Sequence, residues 1–288
     1  MSRYINPYTD FGFKRLFGEE ANKDLLIDFL NTFLPEKHRI KTLNFRNAEQ
    51  LGATALDRKA IFDIYCEAES GEKFIVEMQK AKQLYFKDRS LFYAAFPIRE
   101  QAEKGKGWEY ELQAIYFVGI LDFEYDEMEE RRKFMREVSL KDQDGDVFYD
   151  KLRFIFLQMP LFTKTESELE THQDKWLYFL KNLADFDDIP AILHEPVFER
   201  AFETAEVARM STQEHYRYEA DMKVYRDNYS ALSTAQHVGF ETGHAEGMAQ
   251  GRAVEKIEIA RNMRMKGLDT SLIAEYTGLS QEEIEQLD

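Results

Sequence analysis

Lys73-Phe74-Ile75-Val76-Glu77-Met78-Gln79 reads as a buried strand that carries a carboxylate and an amide near its end. The apolar run ahead of it, Ala60-Ile61-Phe62-Asp63-Ile64-Tyr65-Cys66, carries a second carboxylate. A carboxylate in an otherwise apolar strand is costly to bury unless it is paired or binds a cation. Strand side chains alternate with period two. Glu77 and Gln79 therefore share a face with Ile75, and Asp63 shares one with Tyr65 and Glu67. Phe74, Val76 and Met78 are expected to face the other way, into a helix layer.

Register decides whether the two carboxylates meet. A two-residue Ser70-Gly71 turn would set Asp63 opposite Met78 and send the carboxylates to opposite faces. A three-residue loop, Glu69-Ser70-Gly71, sets Asp63 opposite Glu77, with Gly71 at the third position, where such loops want a left-handed glycine. With that loop the pair can share one cation. Two carboxylates plus water suit Mg²⁺ or Mn²⁺. Such an ion would polarise a phosphate and activate an attacking water, which Gln79 could orient. Gln79 brings no positive charge, so Lys59, Lys80, Lys82 or Arg89 is expected to supply it. The same carboxylates are also readable as ordinary strand acids paired with Arg58, Lys59 or Arg89.

Working outward, Asp10–Phe17 has apolar residues at helical spacing, with Thr9 or Asp10 as N-cap and Gly18 as stop. A second amphipathic helix runs over 22–34 and closes at Pro35. Strands are expected at 40–45, 59–68, 73–79 and 112–123, with a helix from about Tyr85 to Lys104 between the last two. Pro97 predicts a kink in that helix, or two helices in series. Further strands at 132–140 and 147–158 flank an Asp144-Gly145 turn. The chain is helical after Glu166, with apolar stripes at Trp176, Phe179, Leu180, Leu183 and at Val197, Phe198, Ala201, Phe202, Ala205. This order predicts an α/β core with a short mixed sheet flanked by helices, plus a mainly helical C-terminal extension. The expected division is 1–160, 161–238 and 239–288.

The tail places glycines at 239, 243, 247 and 251. Glycine inside a helix costs ~1 kcal/mol against alanine, so the series predicts either close helix packing or a hinge. Three short helices follow at 254–266, 270–276 and 281–287, stopped by Gly267 and Gly278, with Ser280-Gln281-Glu282-Glu283 as a capping box. The order resembles a helix-turn-helix, but the would-be recognition helix carries Glu282, Glu283, Glu285 and Asp288 and no base. Phosphates would repel it, so a small packing or dimerisation module is preferred, and with it a homo-oligomer.

The chain has 288 residues and a net charge of −16, which disfavours a general nucleic-acid binder. The distribution is uneven, because residues 73–106 carry eight bases against four acids. The longest clean apolar run, Ala114–Leu121, cannot span a bilayer, and the first residues lack a signal-peptide core. A soluble, cytoplasmic protein is expected, with no membrane partner. Cys66, the single cysteine, excludes an intramolecular disulfide. The six histidines form no metal spacing. Tyr216, Tyr218, Tyr225 and Tyr229 are expected to pack on the core rather than stack on bases. Asp185, Asp187 and Asp188 read as a solvated turn.

The pattern D…E-x-Q across two strands, followed by a helix with Arg89, Tyr93 and Gln101, resembles the PD-(D/E)XK nuclease superfamily. More closely it is similar to the Rpn recombination-promoting nucleases and transposases. The opening Asp10-Phe11-Gly12-Phe13-Lys14-Arg15-Leu16-Phe17-Gly18 matches that family's first motif. Gln101, Gly105 (or Gly107) and Tyr110 follow its later pattern, and the glycine-spaced tail is similar to its ending. The resemblance implies a restriction-endonuclease-like fold and a Mg²⁺-dependent DNA endonuclease, with Mn²⁺ as a substitute. Asp63 and Glu77 would hold the metal, and Gln79 would stand where the superfamily has lysine. Lys14, Lys82, Arg89 and Gln101 would contact substrate. The competing expectation is a nuclease-derived protein that no longer cuts and assembles through its helical tail.

Overall fold

The computed structural model describes residues 2–50, 60–102, 109–125 and 132–287. Arg58, Lys59, Lys104, Gly105, Lys106, Gly107 and Asp288, named above, lie outside them. The chain divides into two compact units, Met1–Met222 and Lys223–Asp288.

The first unit opens with α1 (Asp10–Phe17) and α2 (Lys23–Asn31). Thr9 caps α1, its Oγ1 accepting from Gly12 N–H at 3.0 Å, an interaction worth about 1 kcal/mol at such positions. Gly12 is required by space, since a Cβ there would lie 2.2 Å from the Asn6 carbonyl oxygen. Phe13, Leu16 and Phe17 point inward, and Phe17 stacks on Phe29 of α2.

The strands are β1 (Leu43–Phe45), β2 (Glu49–Gln50), β3 (Ala60–Ile61), β4 (Ile64–Ala68), β5 (Lys73–Gln79), β6 (Ile115–Leu121), β7 (Met135–Lys141) and β8 (Val147–Gln158). Six form one mixed sheet in the order β1-β4-β5-β6-β8-β7, while β2 and β3 pair separately. β1, β4 and β5 run antiparallel in succession, β5, β6 and β8 are parallel neighbours, and β7 returns antiparallel on β8. The helix α3 (Phe86–Glu100) supplies the crossover that the parallel β5–β6 pair needs.

One expectation is corrected here and two are made more specific. The strand expected over 59–68 is two, because the chain leaves the main sheet at Phe62-Asp63 and its earlier half pairs with β2. The Ile75 face also carries a helix, which was not expected: Phe86, Ala94 and Phe96 of α3 pack with Tyr65, Ile75, Phe117 and Phe156. Phe74 and Val76 on the opposite face are buried as well, Phe74 stacking on Tyr116 at 5.4 Å. Finally, one helix runs through Pro97. Pro97 falls near its C-terminal end, so the lost backbone donor interrupts little of the ladder.

α4 (His172–Asn182) and α5 (Pro196–Ala205) join α1 and α2 in an aromatic cluster around Trp176, which touches Phe17, Phe29, Phe179 and Phe198. The last helix to begin in this unit, α6 (Thr212–Met265), is tied to α1 at its start. Glu214 pairs with Arg15, Asp221 accepts from the Phe11 amide at 2.7 Å, and the Tyr218 hydroxyl accepts from the Asn6 amide at 2.9 Å. Of the tyrosine series, Tyr218 is buried, but Tyr216 and Tyr229 are exposed, contrary to expectation.

In the second unit, α6 continues without a break past all four glycines, and a Cβ at any of them would meet nothing within 4 Å. Neither the hinge nor close packing within the chain is realised. α7 (Thr270–Thr277) and α8 (Gln281–Glu285) close a small core of Ala260, Ile273 and Ile284 with the end of α6. Gly278 ends α7 at φ +70°, and the Ser280–Glu283 capping box starts α8. Among the described residues no helix is long and apolar enough to cross a membrane.

Candidate metal and phosphate site

The β4–β5 hairpin sets the site. Ile64 pairs with Val76, Tyr65 with Ile75 and Cys66 with Phe74. The Ala68 amide donates to Glu72 O at 2.9 Å, leaving Glu69-Ser70-Gly71 as the loop, and Gly71 has φ +98°. This register brings Asp63 and Glu77 to the same level. It is the register that the three-residue loop demands.

Asp63 sits at the bend where the main sheet loses its partner strand. Its carboxylate replaces the missing backbone acceptor, Oδ2 taking the Met78 amide at 2.7 Å. In return the Asp63 amide donates to Glu77 Oε1 at 3.1 Å. The other oxygen, Oε2, accepts from Gln79 Nε2 at 3.0 Å. Glu77 is 1% exposed at its side chain, and Arg89 Nη2 stands 3.7 Å from Oε2. Its neighbour on β6 is Gly119, so no side chain crowds it from that position.

Arg89, in the first turn of α3, is itself held from several sides. Nη1 donates to Gln83 Oε1 at 2.9 Å and to Gln79 Oε1 at 3.5 Å, and the guanidinium lies over the Tyr93 ring at 4.8 Å. Gln83 and Tyr93 received no role from the sequence. The i, i+4 spacing of Arg89 and Tyr93 was the available signal.

The electrostatics are unbalanced. Burial first, and then the Asp63 charge, push the Glu77 carboxyl up to about 8, against the Asp63 amide, Arg89 and Gln79, which favour the ionised form. Burial also raises Asp63, opposed first by the Met78 amide. Asp10 raises Asp63 further, while Lys14 and Arg89 lower it, so charges on α1 are felt at this pair. Two buried like charges with one distant guanidinium invite a cation. The donor set, hard carboxylate oxygens on one face, fits a divalent ion that keeps waters or phosphate oxygens in its remaining positions. Among the described residues no group of three or more His, Cys, Asp or Glu side chains could hold a metal.

The remaining named residues divide. Lys14 pairs with Asp10 at 2.8 Å on α1. Lys82 is exposed in the turn after β5 and has no ion pair among the described residues. Gln101 is not brought to the carboxylates. It lies a dozen residues along α3 from Arg89, roughly 18 Å by helix rise. Its side chain instead ties the Gln113 backbone, Oε1 accepting from Gln113 N at 2.6 Å. Among the described residues, the reading of Asp63 and Glu77 as ordinary ion pairs is met by Arg89 alone, 3.7 Å from Glu77, while Glu67 takes the close pairs with Lys73 and Arg46; the other expected partners, Arg58 and Lys59, lie outside those residues.

Comparison with known proteins adds two findings. The PD-(D/E)XK nuclease family transposase model matches residues 7–235. The Rpn/YhgA-like nuclease family C-terminal HTH domain matches 254–288. No curated protein and no solved structure matches the chain. The second match corrects the preference for a packing module in the tail. The Ala260–Ile273–Ile284 core determines the three-helix arrangement, whereas the surface glutamates of α8 carry no information about it. PD-(D/E)XK nucleases generally use divalent metal ions, in keeping with the paired carboxylates. The mixed sheet flanked by helices, the carboxylate pair on its hairpin and the two matches agree: the chain belongs to the PD-(D/E)XK nuclease family transposases, in their Rpn branch.

Proposed function

We propose that this protein is a Mg²⁺-dependent DNA endonuclease in which Asp63 and Glu77 hold the ion. The observation that carries this reading is the carboxylate pair on one face of the β4–β5 hairpin, a buried Glu77 whose ionisation is disfavoured by burial and by the half-buried Asp63 beside it. A bound divalent ion would polarise the scissile phosphate and lower the pKa of its water. The chain's own groups do the rest. The Asp63 and Met78 amides fix the two carboxylates in place before any ligand arrives. The Gln79 amide, buried beside Glu77, orients the attacking water once its hydrogen bond to Glu77 is exchanged. Arg89 carries the positive charge that Gln79 lacks, and Lys82 and Lys14 extend it along the backbone of the substrate. The helix-turn-helix at 254–288 supports DNA as the partner, although α8 itself is acidic and is ill suited to approach phosphates.

The test is a supercoiled-plasmid nicking assay with Mg²⁺ and Mn²⁺ on wild type, Asp63→Ala and Glu77→Ala. Nicking by wild type that vanishes in both variants is expected. Folded wild-type protein that never nicks would favour the competing role, assembly without cutting.

A further inference from the structure

Arg89 has a second side. Beyond the face that meets Glu77, it lines a cleft of about 600 Å³ with Gln83, Leu84, Tyr85, Asp88, Phe92 and Tyr93. The cleft is thus continuous with the carboxylate site through one side chain. Its apolar wall is open to solvent: Leu84 is 88% exposed, Tyr85 69% and Phe92 44%. Isolated exposed apolar residues need no explanation, but a contiguous set beside a charged site marks a binding surface.

The rings differ in availability. Arg89 covers one face of Tyr93. Phe92 is braced by Phe96, edge to face at 5.1 Å and 87°, and by Tyr93 at 6.4 Å, and remains 44% exposed. Tyr85 precedes α3 and makes no ring contact among the described residues. Two partly exposed rings, Tyr85 and Phe92, therefore stand at the start of α3 near Arg89 and the exposed Lys82. Flat apolar rings flanked by cations are complementary to nucleobases strung on phosphates. A paired duplex hides its base faces inside the stack, so only an unpaired strand offers them.

We propose that the Tyr85–Phe92 cleft is a stacking site for unpaired bases of a DNA strand, next to the carboxylate pair. The inference rests on the nuclease reading for its meaning and narrows the substrate to single-stranded, frayed or flipped DNA. Arg89 then joins the two parts, holding a phosphate between the stacked base and the carboxylates. Asp88, the one acid on the cleft wall, disfavours phosphate at its own position and so helps point the backbone toward Arg89 and Lys82.

The experiment is fluorescence anisotropy on the full chain in chelator, where nothing is cut. The probes are a dye-labelled single strand, the same strand with abasic positions, and a blunt duplex. The proteins are wild type, Tyr85→Leu/Phe92→Leu, which keeps apolar bulk but removes the rings, and the conservative Tyr85→Phe/Phe92→Tyr. The leucine variant is expected to bind the intact single strand about ten-fold or more weaker. Its affinity for the abasic strand and the duplex should not change, and the conservative variant should match wild type. An equal loss on all three probes, or none on the intact strand, overturns the proposal. So does sedimentation showing that the leucine variant turns a dimer into a monomer with strand affinity intact, since the patch would then cover a second copy. The plasmid assay fails independently: stacking without nicking removes only the nuclease reading, and nicking without base dependence removes only this one.

Discussion

The Asp63 amide donates to Glu77 Oε1 at 3.1 Å while the Asp63 carboxylate, turned to the Met78 amide at 2.7 Å, repels the same group. One residue thus holds its partner in position and opposes its ionisation.

Burial of Glu77, and after it the Asp63 charge, sets a pH dependence. The folded value of Glu77, about 8, lies above its ordinary 4.5. Between those values the folded protein keeps a proton that the unfolded chain has released. Without divalent metal, stability therefore falls as pH rises through that window, by up to about 1.4 kcal/mol per unit. Glu77→Gln should flatten that slope and be the more stable protein at the alkaline end. Urea denaturation in chelator across the window reads this directly, and equal slopes for both proteins would contradict it.

A divalent ion should relieve the same strain. Mn²⁺ at roughly a hundred times its dissociation constant should stabilise wild type by about 2.7 kcal/mol. Asp63→Asn should lose most of that gain, because one carboxylate no longer fixes the ion. Thermal unfolding with and without Mn²⁺ measures the difference independently of any cutting.

Gly71 keeps the register. Its φ of +98° is unfavourable for a side chain, and a Cβ there would lie 3.2 Å from Gln113 Cγ. Gly71→Ala should cost about 1–3 kcal/mol. It should also lower cation affinity, since slippage in the loop moves Asp63 away from Glu77. A stable variant with unchanged Mn²⁺ affinity would show that the loop is not what aligns the pair.

Arg89 stands 3.7 Å from the Glu77 carboxylate and also borders the cleft. Arg89→Ala should weaken DNA binding and flatten the dependence of log affinity on log salt by roughly one phosphate contact. An unchanged slope would reject a phosphate-binding role and leave Arg89 as an internal counter-ion to Glu77.

Much of the core was readable locally. Strand β5 was legible from its unbroken apolar run, and the Glu69-Ser70-Gly71 loop from the need for glycine at its third position. The break at Phe62-Asp63 was not legible, because the residues around it look equally strand-like. It arises from a long-range choice, the pairing of β3 with β2 instead of with β5. Gln101 looked available for substrate, yet its amide serves the backbone at Gln113, a partner that only folding brings near. In the tail, the glutamates of α8 drew attention away from the few apolar residues that form its core.

The amino-acid sequence by itself narrowed the hairpin to two registers and made the one that sets Asp63 opposite Glu77 available through Gly71, and the structure adopts it. Loop length and the backbone freedom of Gly71 act within a few residues, where sterics leave few solutions. The tertiary structure alone decided which face α3 covers, how Arg89 is shared between Glu77, Gln79, Gln83 and Tyr93, and which rings are left open beside it. Those outcomes depend on packing between segments far apart in the chain, and many side chains of similar polarity compete for the same positions.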